Sequence, residues 1–294
     1  MDKHKYRLKG HESFILREGW LTKGIQAVQN DSKVFGTNAG ADALGVGTNM
    51  AKAIRYWMRA AGITEESTAK GVFLTDFGKL LAKWDLYFED IFSLWILHCN
   101  IACNFKMATS WNVFFNDMDI TSAFSREDMD RMMERVILEK TGEEEISQRS
   151  LHDDCSAILS MYAEKKSAES DPEDKRESPF AELGLVSNVG KNKFIKRRPM
   201  MNKIDPLVIL YLMIEPLNQN ESMQIDFSTE GYNMPGKILN LNRILVNDFL
   251  DILQNQGYII VNRTAGLDII YPDACKKMTK MEVLKRHYER GITA

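Results

Sequence analysis

Apolar residues recur at helical spacing through most of this chain. Trp20, Leu21, Ile25 and Val28 predict a helix over 18–30, and 38–44 reads as a short helical turn. Gly45-Val46-Gly47 breaks the pattern. Thr48 is placed to cap a second helix over 49–61, which Gly62 ends. Residues 63–65 and 71–74 read as two short strands around a polar tip. Helix resumes over 75–84, with Thr75 as its cap. Helix, short helix, glycine-bearing turn, helix, hairpin, helix is the order of a winged helix-turn-helix.

Four further helical patterns follow, at 89–105, 110–115, 127–140 and 151–162, with a capping box at Ser125 and Asp128. They predict a helical bundle. Residues 165–179 (KKSAESDPEDKRESP) contain no large apolar side chain and read as a linker. Beyond it, 206–214 predicts a strongly apolar helix. A second, over 241–256, turns Ile244, Leu245, Phe249, Ile252 and Leu253 to one face. Gly257 ends it, and 258–261 and 267–271 alternate like a hairpin. Helix, glycine, hairpin repeats the ending of 49–74. The expected fold class is mainly α with small β-hairpin wings: two winged helix-turn-helix-like units around a helical bundle. The expected boundaries are 1–87, 88–164, the linker 165–179, and 180–294.

Composition narrows the class. In 294 residues, 44% are hydrophobic and 27% charged, which is ordinary globular usage. A net charge of −3 excludes a polycation, so any nucleic-acid contact needs a local patch. Four scattered cysteines with no CxxC argue against a disulfide framework or a zinc ribbon. The first residues have no apolar core, as a signal peptide would, and 91–103 is too short and too polar to span a bilayer. A reduced, cytoplasmic protein without a membrane partner is expected.

The candidate recognition helix divides by face. Met50, Ala53, Ile54, Trp57, Met58 and Ala61 point to a core. Asn49, Lys52, Tyr56 and Arg59 point away, with Arg55 at the border. Asn pairs with adenine and Arg or Lys with guanine in a major groove. Thr48 and Asn49 open the helix where its backbone N–H groups favour a phosphate. Against this stands the ordinary solvated face of any surface helix. A second basic stretch, 186–204, carries Lys191, Lys193, Lys196, Arg197, Arg198 and Lys203 with no acid. Lys193, Lys196, Arg197 and Arg198 are its candidates for duplex phosphates, against an exposed loop that balances the acidic linker.

Other clusters are weaker. His11, Glu12 and Arg17 form a dense, unassigned block before the first helix: His11 could carry a proton or bind a metal with Glu12 orienting it, against the more ordinary reading of a structural Glu12–Arg17 network. His98, Cys99 and Cys103 share an apolar helix, where buried cysteines are ordinary core residues. Asp153 and Asp154 with Glu164-Lys165-Lys166 spell a D…ExK string as nucleases use, but on a helix rather than on strands. No P-loop, GxGxxG, GxSxG or HExxH occurs. No cofactor, metal or catalytic residue is expected.

GHESFILREGWLTKG (10–24), LGVGTNMAKAIRYWMRAAGI (44–63), LTDFGKLLA (74–82) and FEDIFSLWILHCNIA (88–102) resemble successive blocks of an uncharacterised bacterial family. PFAELGLV (179–186) and TAGLDIIY (264–271) extend the likeness over most of the chain. That family carries a domain-of-unknown-function label and has no settled catalytic residues. Its genes lie beside phosphoadenosine-phosphosulfate-reductase-like genes, in DNA phosphorothioation and phage-defence clusters. The resemblance implies a DNA-modification or defence accessory protein. The expected function is non-enzymatic binding of duplex DNA for a sulfur-transfer enzyme. The rivals are a protein–protein adaptor for that enzyme, a metal-dependent nuclease, and a sulfur-handling protein using Cys99 or Cys103.

Overall fold

The structure is a computed structural model that describes residues 5–118, 122–163 and 178–290. Apart from Ser178 and Pro179, the predicted linker lies outside the described residues, as does Glu164-Lys165-Lys166. The chain divides into two compact units, Met1–Arg197 and Arg198–Ala294. Both are mainly helical, with small antiparallel sheets. Among the described residues, no helix is long and apolar enough to cross a membrane.

The first unit runs α1 (Trp20–Asn30), a 3-10 turn at Asn38–Gly40, α2 (Ala41–Leu44), α3 (Thr48–Ala60), β1 (Thr64–Ser67), β2 (Gly71–Leu74) and α4 (Asp76–Trp84). It continues with α5 (Ile91–Ala102), α6 (Thr109–Asn116), α7 (Arg126–Thr141), α8 (Gln148–Tyr162), β3 (Val186–Gly190) and β4 (Lys193–Lys196). The stretches 1–87 and 88–164, expected as separate domains, belong to this one compact unit.

Local chemistry explains most of the boundaries. At the end of α3, Ile63 N–H donates to the Met58 carbonyl and Gly62 N–H to the Arg59 carbonyl, with Gly62 at φ 73°. That pair of bonds satisfies carbonyls the helix leaves open, and the left-handed position suits glycine. Thr75 caps α4 by accepting from Gly78 N–H, and the predicted capping box at Ser125 and Asp128 is formed. Thr48 does not cap α3. It is the first helical residue, and its hydroxyl donates to Asn38 Oδ1 at 3.0 Å.

The basic stretch departs further from expectation. Residues 186–196 form a hairpin on the first unit, not an exposed loop opening the second. Phe194 and Phe124 exchange backbone hydrogen bonds of 2.9 Å, and Val186 bridges Ala163. The buried Phe194 ring supplies the apolar area that anchors a stretch otherwise read as cationic.

The second unit runs α9 (Pro206–Asn220), β5 (Met223–Gln224), α10 (Ile225–Glu230), α11 (Pro235–Ile238), α12 (Arg243–Asn255), β6 (Ile259–Asn262), β7 (Ile269–Pro272) and α13 (Lys280–Glu289). The predicted hairpin is present as β6–β7, and β5 adds a third strand beside β7. On α12 the buried stripe is Val246, Phe249, Leu250 and Leu253. Ile244, expected on that stripe, is 69% exposed. It stands two residues, about 200°, from Val246 around the helix.

Two polar networks tie distant segments together. In the first unit, buried Asp154 accepts from Lys9 N–H at 2.9 Å, from Ser110 Oγ at 2.6 Å and pairs with His11 Nε2 at 2.9 Å. The His11 ring lies nearly parallel to Trp57 and edge-on to Trp111. In the second unit, Asp205 caps α9 through Leu207 N–H and meets His287 at 2.8 Å and Arg290 at 3.0 Å on α13 and just beyond it.

Replacing Asp154 by Ala strips two buried side chains, His11 and Ser110, and the part-buried Lys9 N–H of their acceptor. At about 1–3 kcal/mol for each orphaned group, urea denaturation should show a loss of roughly 3 kcal/mol or more. Burial pushes the Asp205 carboxyl up, but His287, the Leu207 N–H and Arg290 outweigh it, and its pKa is lowered. A lowered carboxylate stabilises the fold above its unfolded pKa of about 3.9, and that contribution fades as pH falls through the folded value. Asp205→Asn should therefore lower stability near neutrality and flatten the loss below about pH 4, read by urea melts at several pH values.

Candidate functional site

The exposed edge of α3 and the hairpin that follows it gather the largest set of predicted site residues. The apolar positions of α3 set its rotation. Ala51, Ala53, Ile54, Tyr56, Trp57, Met58 and Ala60 are buried. Trp57 Nε1 donates to the Phe14 carbonyl at 3.0 Å, and Tyr56 OH donates to the Met107 carbonyl at 2.9 Å. Tyr56, expected on the outward face, is thus a core residue with its one polar atom satisfied. Burial and the nearby Asp154 push its phenol far above the ordinary range. Gly10, in the block before α1, packs against this ring: a Cβ there would lie 2.3 Å from Tyr56 Cε2.

What remains outward is a stripe of Thr48, Lys52, Arg55 and Arg59, with Asn49 beside it. Thr48, Asn49 and Lys52 are exposed, while Arg55 and Arg59 are half-buried. No acid occurs on α3 itself. The acid comes from the hairpin. Glu66 on β1 receives Arg55 through two parallel bonds of 2.7 and 2.8 Å and Arg59 at 3.3 Å. Burial pushes the Glu66 carboxyl up, but these two guanidinium groups outweigh it and hold it below the usual range.

This triad lines a cleft of about 750 Å³ between α3, the tip of the β1–β2 hairpin and the loop at 32–36. Lys33, Ser67 and Thr68 also line it. The hairpin is fastened to that loop by a bond from Val72 N–H to the Ser32 carbonyl. Gly71 permits the approach, since it has φ 73° and a Cβ there would lie 2.4 Å from the Ser32 oxygen. The loop and Glu66 were not singled out in the sequence. Arg55 and Glu66 are eleven residues apart across a glycine turn, a distance no periodic pattern connects.

The other predicted residues scatter. Lys193 and Arg197 are exposed on or beside β4, and Arg198, also exposed, opens the second unit. Lys196 points inward. Its ammonium donates to the Phe114 and Met118 carbonyls at 3.2 and 3.1 Å and lies 5.1 Å from the Phe114 ring centroid. A cation so engaged is a structural peg, not a phosphate contact. His11 is fully buried on Asp154, Glu12 is exposed, and the Arg17 guanidinium lies over the rings of Phe14 and Trp20. His98 meets Tyr162 OH at 2.8 Å inside the core, and Cys99 is buried near it on α5. Among the described residues, no three His, Cys, Asp or Glu side chains converge to hold a metal ion.

Known proteins place the fold. Comparison with curated proteins finds no match. Two solved structures are similar, the magnesium ion-bound SspB crystal structure and an SspB crystal structure. They superpose with TM-scores of 0.82 and 0.81 over 99% of this chain and 90% of theirs, at 22% identity. At that identity the likeness is one of fold. The sequence model of the family described as "Protein of unknown function (DUF4007)" matches residues 8–288, and the chain belongs to that family.

Proposed function

We propose that this protein is a non-enzymatic duplex-DNA-binding accessory factor of a DNA sulfur-modification and phage-defence system. In this reading α1, α2, α3 and the β1–β2 hairpin act as a winged helix-turn-helix. One observation carries it: α3 buries its apolar side and leaves a one-sided stripe of Thr48, Lys52, Arg55 and Arg59 without an acid on the helix. Such a stripe fits a major groove, where Lys and Arg reach guanine and phosphates. Asn49 stands at the first turn, where it would reach a base edge or a phosphate. Lys70, exposed at the hairpin tip, stands where a wing meets the neighbouring backbone. Lys193 and Arg197 are further phosphate candidates, and Arg198 a third on the second unit. Tyr56 and Lys196 are not, because their polar atoms are used inside the fold. The sulfur-modification context comes from the sequence resemblance.

A second reading, a protein–protein adaptor for a phosphoadenosine-phosphosulfate-reductase-like enzyme, has support in the second unit. There α12 exposes Asp248 and Asp251, and Arg243 is already held by Asp226 and Asp268. Phe227, Ile244 and Leu267, each next in sequence to a member of that ionic cluster, are 46, 69 and 53% exposed. An acidic helix beside exposed apolar side chains suits a protein surface better than a phosphate backbone.

Fluorescence anisotropy with a labelled duplex at about 50 and 200 mM salt tests the first reading. About four phosphate contacts give a loss of roughly 100-fold across that range. Lys52→Glu should weaken binding at least tenfold at the lower salt. Salt-independent retention, or retention unchanged by Lys52→Glu, sinks the recognition-helix assignment and favours the adaptor.

A further inference from the structure

We propose that the cleft between α3, the β1–β2 hairpin and the 32–36 loop is a phosphate-group site, and that the Glu66 carboxylate occupies it as an internal stand-in for the ligand. The inference deepens the DNA-binding reading and rests on it for the duplex as the source of the phosphate.

The geometry is that of anion recognition. Arg55 offers Glu66 two parallel N–H donors at 2.7 and 2.8 Å. This fork is the arrangement with which arginine holds carboxylates and phosphates alike. Arg59 approaches the same carboxylate at 3.3 Å, so two guanidinium groups converge on one anion. The Glu66 side chain is 19% exposed and the two arginines 39 and 37%, so the clamp is reachable from solvent. Its surroundings exceed what an ion pair needs. The open volume is about 750 Å³, and the lining cations Lys33, Arg55 and Arg59 outnumber the one lining acid, Glu66, by two. Ser67 and Thr68 bring hydroxyls to the same lining. The low pKa of Glu66 keeps it anionic at neutral pH, as a competitor of phosphate must be.

A partly exposed pair of this kind shifts an equilibrium by about fivefold or less, so an incoming phosphate with more charge and more acceptors displaces it at small cost. The exchange leaves Arg55 and Arg59 on the ligand and Glu66 in water. The carboxylate therefore lowers affinity for every phosphate and suppresses binding to weak or isolated ones.

Glu66→Gln removes the charge and keeps the size. Two probes are titrated against the purified full-length chain: a labelled DNA duplex by anisotropy, and inorganic pyrophosphate by calorimetry. The variant should bind both about three- to fivefold more tightly than the parent. For the duplex, log affinity against log salt should steepen by about 1 to 2, since each phosphate newly contacted adds about 0.9. A merely structural pair would not change that slope. Adding Arg59→Gln to the variant should return both affinities to the parent's or below. A thermal melt checks that each variant is folded, and if Glu66→Gln is not, Glu66→Thr, uncharged and suited to a strand, is used with the same expectation. Gain with both probes supports the site and its use on DNA. Gain with pyrophosphate alone, while the parent does not hold the duplex, supports the site for a free phosphate compound and removes the DNA reading. Gain with pyrophosphate while duplex binding persists unaltered assigns the site to a free phosphate and leaves duplex binding to the rest of the α3 edge. Unchanged or weaker binding of both probes by a folded variant overturns the proposal, whether or not the parent binds DNA.

Discussion

Everything proposed for this protein depends on how α3 is rotated about its own axis, and Trp57 sets that rotation. Its ring is fully buried among His11, Tyr56 and Trp111, and its one polar atom is bonded to the Phe14 carbonyl. Burying a side chain of that size is worth about 3 kcal/mol, several times a half-exposed Arg–Glu pair. The apolar side therefore chooses the orientation, and the cations take whatever face is left. A rotation of one residue, about 100°, would carry Arg55 off the hairpin and Tyr56 into water. Tyr56 adds a second pin by reaching the Met107 carbonyl, so the helix is held from two directions.

The same packing decides where the block around His11 goes. The buried His11 and Ser110 side chains converge with the part-buried Lys9 backbone N–H on Asp154. The network ties the first residues of the chain to α6 and α8 and gives Trp57 one wall of its pocket. Burial keeps the His11, Ser110 and Asp154 side chains from solvent. Outside, the opposite holds. Glu66, Arg55 and Arg59 are an unremarkable ion pair in composition, yet they face an open cleft. The chemistry available to each cluster is decided by access to solvent.

Much of the fold was legible. Trp20, Leu21, Ile25 and Val28 announced α1, and the Gly62 ending of α3, the Thr75 cap and the Ser125–Asp128 box all lie where the sequence puts them. These features are local: each depends on residues within one or two turns. Three of the misplacements share an origin. Tyr56, Ile244 and Lys196 are amphipathic or lie at the border of a helical face or strand, and their side depends on a partner far away in the chain. For Tyr56 that partner is Met107, for Lys196 it is Phe114 and Met118. The stretch 186–196 looked like a solvated loop because its cations outnumber its apolar residues. One ring, Phe194, was enough to fold it down.

By itself, then, the sequence determined the helical content, the order of helices and hairpins, and the presence of a cationic edge on α3. Periodicity and capping residues carry that information because a helix is stabilised by neighbours three and four positions away. Only the tertiary structure decided which cations remain available. It buried Tyr56, pegged Lys196 into the core and set Glu66 against Arg55 and Arg59. Those outcomes rest on contacts between residues seven to about 80 positions apart, whose energies depend on distance in space and on exclusion of water, and neither is written in the spacing of residues along the chain.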